Sequence, residues 1–213
     1  VVDVSKHFTE IIALDIAAKT VRVQPGVIRD DLNNYLQPPG LFFGPNTSTS
    51  NRCMIGGMVG NNSSGTTSIQ YGVTRDKVLA LDCILSDGSQ VSFSSISKET
   101  FIEKTKLDSL EGSIYKELHS VLHDKEVQQE IRKQFPKPEI HRRNTGYALD
   151  DLIDTTVFGG NNAFNMCTLL SGSEGTLAFT TAITLQLDNL PPEKTAMLVT
   201  HYDSLEKGLL DVV

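Results

Sequence analysis

The residues most suited to chemistry in this chain are small, polar and spaced by glycine. From Asn46 to Gly72 it reads NTSTSNRCMIGGMVGNNSSGTTSIQYG, with glycines at 56, 57, 60, 65 and 72 and with one arginine, no lysine and no acid. Such composition reads as loop, but the apolar pairs Met54-Ile55 and Met58-Val59 interrupt it, so it is not a solvated linker. Glycine lets backbone approach a ligand closely and take positive φ. Successive exposed N–H groups, helped by Ser, Thr and Asn side chains, form nests that hold anions. The chemistry this suggests is a cradle for a phosphorylated cofactor. A long Ω-loop that only packs would have the same composition. A second segment favours the cradle. Ser171–Leu177, SGSEGTL, is a glycine turn with one carboxylate, and it runs into a strand-like stretch where Phe179, Thr181, Ile183, Leu185 and Leu187 lie two apart. Two such loops, distant in sequence, suit a ligand gripped from two sides.

Other constellations are weaker. His119 and His123, four apart, share a helix face, a spacing that can bind metal, but no Glu or third ligand stands beside them. A solvated or half-buried pair is the better reading, and no metal is expected. Cys53, Cys83 and Cys167 are far apart with no CxxC pair, which leaves no zinc or iron–sulfur motif in these residues. Cys83 and Cys167 sit in apolar runs and read as buried free thiols, in keeping with a reducing, cytoplasmic setting. The glycines at 56, 57, 60 and 65 do not fit a Rossmann fingerprint, and no Gly-Lys-Ser/Thr triplet makes a Walker loop.

The elements around these loops are legible from periodicity. Glu10–Gln24 predicts a hairpin turning at Ala17-Ala18-Lys19, and Lys77–Phe93 a second one about Ser86-Asp87-Gly88-Ser89. Ile28–Leu36 predicts a helix with Ile28, Leu32, Tyr35 and Leu36 inward. Lys98–Phe135 is helical and charged, with Ile114, Leu118, Val121 and Leu122 on one face, and Pro136 ends it. A turn and short helix are expected over Asn144–Leu152, and two strands over Phe164–Leu187. Short strands are expected at Val1–Val4 and Thr195–His201, and a helix from Asp203. Hairpins alternate with separate helical stretches and no crossover unit repeats, so the expected class is α+β, a mainly antiparallel sheet covered by helices. The 213 residues carry 19 basic and 26 acidic side chains, net −7. That balance argues against nucleic acid as a partner, and no apolar run is long enough to span a membrane. The apolar beginning VVDV and the ending LEKGLLDVV read as cuts within a longer protein.

Taken in order, VQPGV, GPNTSTSNRCMIGGMVGNNSSG, YGVTRDKVLALDCILSDGSQV, RRNTGYALDDL and SGSEGTLAFTTAITLQL make the chain similar to a known family. It resembles the FAD-binding domain of the vanillyl-alcohol-oxidase and p-cresol-methylhydroxylase (PCMH) flavoprotein superfamily. Within it, it looks like the FAD-linked 2-hydroxy-acid dehydrogenase branch of D-lactate dehydrogenases, glycolate oxidases and D-2-hydroxyglutarate dehydrogenases. The likeness runs over residues 1–190, which would form the second subdomain of the PCMH-type fold; residues 191–213 would be a linker and the start of the substrate (cap) domain.

The resemblance implies FAD as cofactor and a 2-hydroxy acid as substrate, oxidised by hydride transfer to flavin N5. Pro45, Met54, Ile55, Gly56 and Gly57 would lie along the pyrophosphate and ribityl chain. Asn61, Asn62, Ser63, Ser64 and Gly65 would add donors, and Tyr71 and Gly72 would close the loop. Gly172, Ser173, Glu174, Gly175, Thr176 and Phe179 would meet the adenine end and the ribityl–flavin side. His141, Arg142, Arg143, Asn144 and Tyr147 fall in a motif near the flavin in relatives. An iron–sulfur domain in the same parent chain would be the electron acceptor. The family's first phosphate loop is absent from these residues and its cap domain is represented by one strand and one helix, so no catalytic base is assigned. A UDP-N-acetylenolpyruvoylglucosamine reductase-like enzyme and a nucleotide-binding module without redox chemistry are the alternatives.

Overall fold

A computed structural model describes residues 2–137, 139–140, 143, 146–194 and 196–211. Two strands, β1 (Ile11–Asp15) and β2 (Thr20–Val23), form the first hairpin. Helix α1 (Arg29–Leu36) and the short strand β3 (Leu41–Phe42) follow. The polar region holds three short helices, α2 (Ile55–Asn61), α3 (Ser68–Tyr71) and α4 (Thr74–Lys77). The second hairpin is β4 (Val78–Ile84) with β5 (Gln90–Ile96), turning through Gly88 at φ 85°. Next come α5 (Lys98–Lys104), α6 (Leu110–Leu122), α7 (Lys125–Gln134) and α8 (Leu149–Ile153). The chain then runs through β6 (Phe164–Asn165), α9 (Cys167–Leu170), β7 (Phe179–Gln186), β8 (Asp188–Asn189) and α10 (Leu205–Asp211).

The strands make a six-stranded sheet in the order β1-β2-β7-β4-β5-β6, with every neighbouring pair antiparallel, and β3 pairs with β8 apart from it. This is the expected α+β class. The late strand β7 inserts between the two early hairpins, so the loop before it arrives beside the first polar region. Alternation decides which sheet face is covered. Val21, Leu81, Ile183 and Leu185 are buried and lie opposite one another in register. Phe101, Tyr115, Phe158 and Phe164 fix the helical layer through edge-on ring contacts, with Phe101 and Phe164 centroids 4.7 Å apart. Helices α5, α6 and α7 start on Ser97, Ser109 and Asp124, whose side chains accept from the N–H groups of Thr100, Gly112 and Glu126.

The other sheet face carries a polar link across three strands. Arg22 lies 2.5 Å from Asp82, and the Ser92 hydroxyl donates to the same carboxylate at 2.6 Å. Partial burial pushes the Asp82 carboxyl up, but these bonds outweigh it and the net shift is downward. A carboxyl lowered by folding adds stability above its unfolded pKa and loses it as pH falls through the folded value. Asp82→Asn should therefore melt lower than the parent at neutral pH, and the gap should close in acid; parallel melting curves from neutral pH down past the carboxylate range would contradict this.

Several expectations fail in physically informative ways. Tyr35 and Val121 are half exposed at 50% and 45%. The stretch after Phe164 is helix α9, not strand, because Met166, Cys167 and Leu170 bury one helical face. Residues 2–4 and 196–201 form no strand, and Met197 and Leu198 are exposed at 89% and 88%; among the described residues no strand pairs with them. Cys83 and Cys167 are buried free thiols, raised by burial to about 11 and about 12.

Candidate functional site

Helix α2, IGGMVGN, has a composition that argues against helix. Each interior glycine costs about 1 kcal/mol relative to alanine. Tertiary contacts override this. Ile55, Met58 and Val59, at i, i+3 and i+4, are buried, while Gly57 and Asn61 are exposed on the far side. The start is seated by the PGV turn: Ile55 N–H donates to Val27 C=O and Gly56 N–H to Pro25 C=O, both at 2.8 Å. The end is closed by Asn62 at φ 49°, whose N–H reaches Val59 C=O at 3.0 Å.

The second glycine loop docks on that same end. Gly172 N–H donates to Val59 C=O at 2.9 Å and Glu174 N–H to Gly60 C=O at 2.8 Å. The two polar loops thus join at the end of α2, and Gly57, Asn61, Glu174, Gly175 and Thr176 are exposed, with Glu174 the one charged side chain of the five. Glu174 holds φ 54°, a left-handed conformation that costs an L-residue about 1–2 kcal/mol. Strain of this kind concentrates at functional sites.

The glycines divide by what a side chain would meet. At Gly56 a Cβ would stand 2.5 Å from Pro25, at Gly65 1.5 Å from the Asn46 carbonyl oxygen, at Gly72 2.5 Å from Asp76, and at Gly172 2.7 Å from the Gly146 carbonyl oxygen. The fold itself requires glycine at these four positions. At Gly57 and Gly175 a Cβ would meet nothing within 4 Å. Packing gives no reason for glycine at exposed, helical Gly57.

The remaining candidates are mostly buried or half-buried and engaged with the fold. Pro45 is buried, and its carbonyl accepts from Arg29 Nε at 3.1 Å. Met54 is the residue before the first turn of α2. Asn62 and Ser63 are buried; Asn61 Nδ2 donates to Ser63 Oγ at 3.0 Å, and Ser63 C=O accepts from Thr74 Oγ1 at 2.6 Å. Ser64 is half-buried. Tyr71 packs edge-on against Phe42 with centroids 4.9 Å apart, and Phe179 against Phe8 at 5.8 Å. Ser173 is buried, and its carbonyl accepts from Thr176 Oγ1 at 2.6 Å. His141, Arg142 and Asn144 lie outside the described residues. Tyr147 is described: its hydroxyl lies 2.8 Å from Thr176 Oγ1, which adds a third segment to the surface.

Sequence reasoning missed Arg75. Its side chain is 9% exposed, and it sends Nε to the carbonyls of Thr168 and Ser171, both at 3.1 Å, and Nη2 to those of Gly146 and Ser171 at 2.9 and 2.5 Å. Burial pulls its pKa down, against the upward pull of Asp151 and Asp150. Arg143 pairs with Asp150 and, at 2.8 Å, with Asp151. Burial and then the Asp151 charge push the Asp150 carboxyl up, against Arg143. The sequence neighbourhood of Arg75, TRDK, carries no mark that separates it from Lys77. His119 and His123 stack at 5.1 Å, and among the described residues no group of three His, Cys, Asp or Glu side chains is placed to hold a metal. Nor is any described helix long and apolar enough to cross a membrane.

Comparison with known proteins bears on this geometry. A family model described as an FAD binding domain matches residues 1–94. The chain is 38% identical over 212 residues to a D-2-hydroxyglutarate dehydrogenase of Haemophilus influenzae, covering 98% of this chain and 20% of that protein. It is 36% identical over 209 residues to the enzyme of the same name from Escherichia coli K12, with the same coverage. A glycolate oxidase subunit GlcD of Bacillus subtilis is 40% identical over 83 residues, 39% of this chain and 18% of that protein. Among solved structures, alkyldihydroxyacetonephosphate synthase in two crystal forms superposes with TM-scores of 0.50 and 0.51 at 15% and 16% identity, over 87% of this chain and 22% of that one. At such identity the likeness is one of fold. The chain spans about a fifth of the length of the D-2-hydroxyglutarate dehydrogenases it matches.

Proposed function

We propose, from its similarity to an FAD binding domain and to D-2-hydroxyglutarate dehydrogenases, that this chain is the FAD-binding part of a dehydrogenase acting on a 2-hydroxy acid, with D-2-hydroxyglutarate as the first substrate to test. One observation supports the reading: loop 171–176 is hydrogen-bonded to the carbonyl end of α2, and in this reading the bare glycine face and the carboxylate loop act as a single surface. We read that surface as a seat for a dinucleotide. Open space over Gly57 and Gly175 admits close approach, and a pyrophosphate can be held by neutral N–H donors at short range.

In this reading FAD supplies acceptance of a hydride from the substrate's α-carbon. The chain's own residues bind and orient. Gly57 keeps the surface low, Asn61 and Thr176 offer amide and hydroxyl groups, and Glu174 offers a carboxylate as a hydrogen-bond acceptor. Pro45, Met54, Ile55, Gly56, Asn62, Ser63, Ser64, Gly65, Tyr71, Gly72, Gly172, Ser173 and Phe179 form the backing, with access to the cofactor through backbone groups. Residues 1–190 would be the FAD-binding unit and 191–213 the linker and start of the substrate domain. The proton acceptor for the substrate hydroxyl would come from outside this chain, an iron–sulfur domain of the parent protein would take the electrons, and the setting would be cytoplasmic.

The deciding experiment is the visible spectrum of the purified full-length protein, followed without oxygen on adding D-2-hydroxyglutarate, D-lactate or NADPH. Flavin bands bleached by a hydroxy acid are expected. Bleaching by NADPH alone would favour the reductase alternative, and a colourless protein would defeat the proposal. A second expectation concerns Glu174→Gln in the full-length protein. FAD affinity or turnover should fall, while the flavin-free protein keeps its stability to within the ~0.5 kcal/mol usual for surface changes. Unchanged flavin affinity and rate with a large loss of stability would make Glu174 structural.

A further inference from the structure

Arg75 bonds to three segments next to the proposed cradle: the end of α2, the 168–171 stretch and Gly146. Its backbone N–H donates to Asn62 Oδ1 at 2.9 Å, at the end of α2. Its guanidinium donates to the carbonyls of Thr168 in α9, Ser171 at the head of the second glycine loop, and Gly146 in the segment leading to Tyr147. Asp151 stands 3.9 Å from Nη1. Among the described residues every hydrogen-bond acceptor of the guanidinium is a main-chain carbonyl, so the contact governs backbone path rather than neighbouring side-chain identity. Ser171 is fully buried, and a buried carbonyl stripped of its donor is costly. Gly172 gives the guanidinium its room, since a Cβ there would stand 2.8 Å from Nη2.

We propose that Arg75 is a positioning residue for the flavin site, holding loop 171–176 and the Gly146–Tyr147 segment in one fixed relation to the glycine face of α2. The inference rests on the FAD-cradle reading and extends it to a side chain that need not touch the cofactor. A planar fork with five donors can serve three carbonyls at once; an ammonium on a flexible stem cannot match that geometry. Without the fork the loop keeps its two backbone bonds to Val59 and Gly60 but loses the restraint that sets Gly146 against Ser171. The chain should still fold, with Glu174, Gly175 and Tyr147 displaced from their common surface.

The test compares wild type with Arg75→Lys and Arg75→Gln in the full-length protein. It measures FAD affinity of the flavin-free protein by fluorescence titration, the visible circular dichroism of bound flavin, and melting of the flavin-free form. Both variants should melt cooperatively, bind FAD at least tenfold more weakly (about 1.4 kcal/mol) and show an altered flavin dichroism, with Lys less affected than Gln. Unchanged FAD affinity and dichroism in a wild type that holds flavin would overturn the role of Arg75 alone. A wild type without flavin would overturn the cradle reading and this inference together. If neither variant folds, or if melting shifts while the flavin signals do not, Arg75 is structural and the proposal falls.

Discussion

Gly57→Val in the full-length protein is expected to abolish flavin retention while leaving the fold intact. The two halves of this expectation have separate physical causes. The fold should survive because a Cβ at position 57 meets nothing within 4 Å, and because valine, though β-branched, is still a better helix former than glycine. The flavin-free variant should melt at or above the parent. Retention should fail because the same open space is where the cofactor backbone is proposed to lie, and an isopropyl group would hold it away from the helix. Loss of close approach removes several hydrogen bonds to a charged pyrophosphate at about 1.5–3 kcal/mol each, so two lost bonds weaken binding by roughly a hundredfold or more. Rising stability with falling affinity marks a position kept for ligand rather than for packing. A variant that purifies with stoichiometric FAD would remove α2 from the cradle.

The unequal legibility of the chain has the same origin. The β1–β2 and β4–β5 hairpins were readable because strand alternation and turn chemistry are local: Asp87-Gly88 supplies its own positive φ, and residues two apart face one core. The helical character of 98–135 was readable from its apolar spacing, but its division into α5, α6 and α7, started by the caps Ser97, Ser109 and Asp124, was not. Helix α2 was hidden by its glycines. Its spacing of Ile55, Met58 and Val59 is a helical signal, but loop composition outweighed it, and the bonds that secure the helix come from Pro25, Val27, Gly172 and Glu174, residues near only in the folded chain. Position 201 and its neighbours show the converse: MLVTH has strand composition, yet among the described residues no strand pairs with it.

At the site, residue types were legible and their division of labour was not. Gly56 and Gly57 are adjacent and identical in sequence, yet one lies against Pro25 and the other faces open space. Only the seating of α2 on the PGV turn separates them. The pairing of the two loops was inferred from composition, but the means of pairing, main-chain N–H groups of residues 172 and 174 on the carbonyls of residues 59 and 60, leaves no mark on side-chain identity. Arg75 was invisible for the same reason, since its acceptors are carbonyl oxygens that any residue would supply.

The 213 residues expressed by themselves should fold and yet bind FAD weakly, giving a largely colourless and inactive preparation. The proposed surface is one-sided: Gly57, Asn61, Glu174, Gly175 and Thr176 are all exposed, and neither the cleft lined by Gly26, Val27 and Met54 at the start of α2 nor the one lined by Arg22, Asp82 and Thr181 includes any of these five residues. Sites that hold small ligands tightly bury about 70–90% of the ligand surface, and a flavin laid on an open face leaves one side in water. On the resemblance, a further phosphate loop would supply N–H donors to the pyrophosphate beyond those that this surface offers. At about 1.5–3 kcal/mol for each hydrogen bond to a charged group, two or three missing donors move a tight site to micromolar or weaker. A cooperative melt without flavin absorbance, together with no turnover of D-2-hydroxyglutarate or D-lactate with a dye acceptor, is the expected result. A yellow preparation with one FAD per chain would mean that this surface alone closes on the cofactor, and the second wall would then be unnecessary.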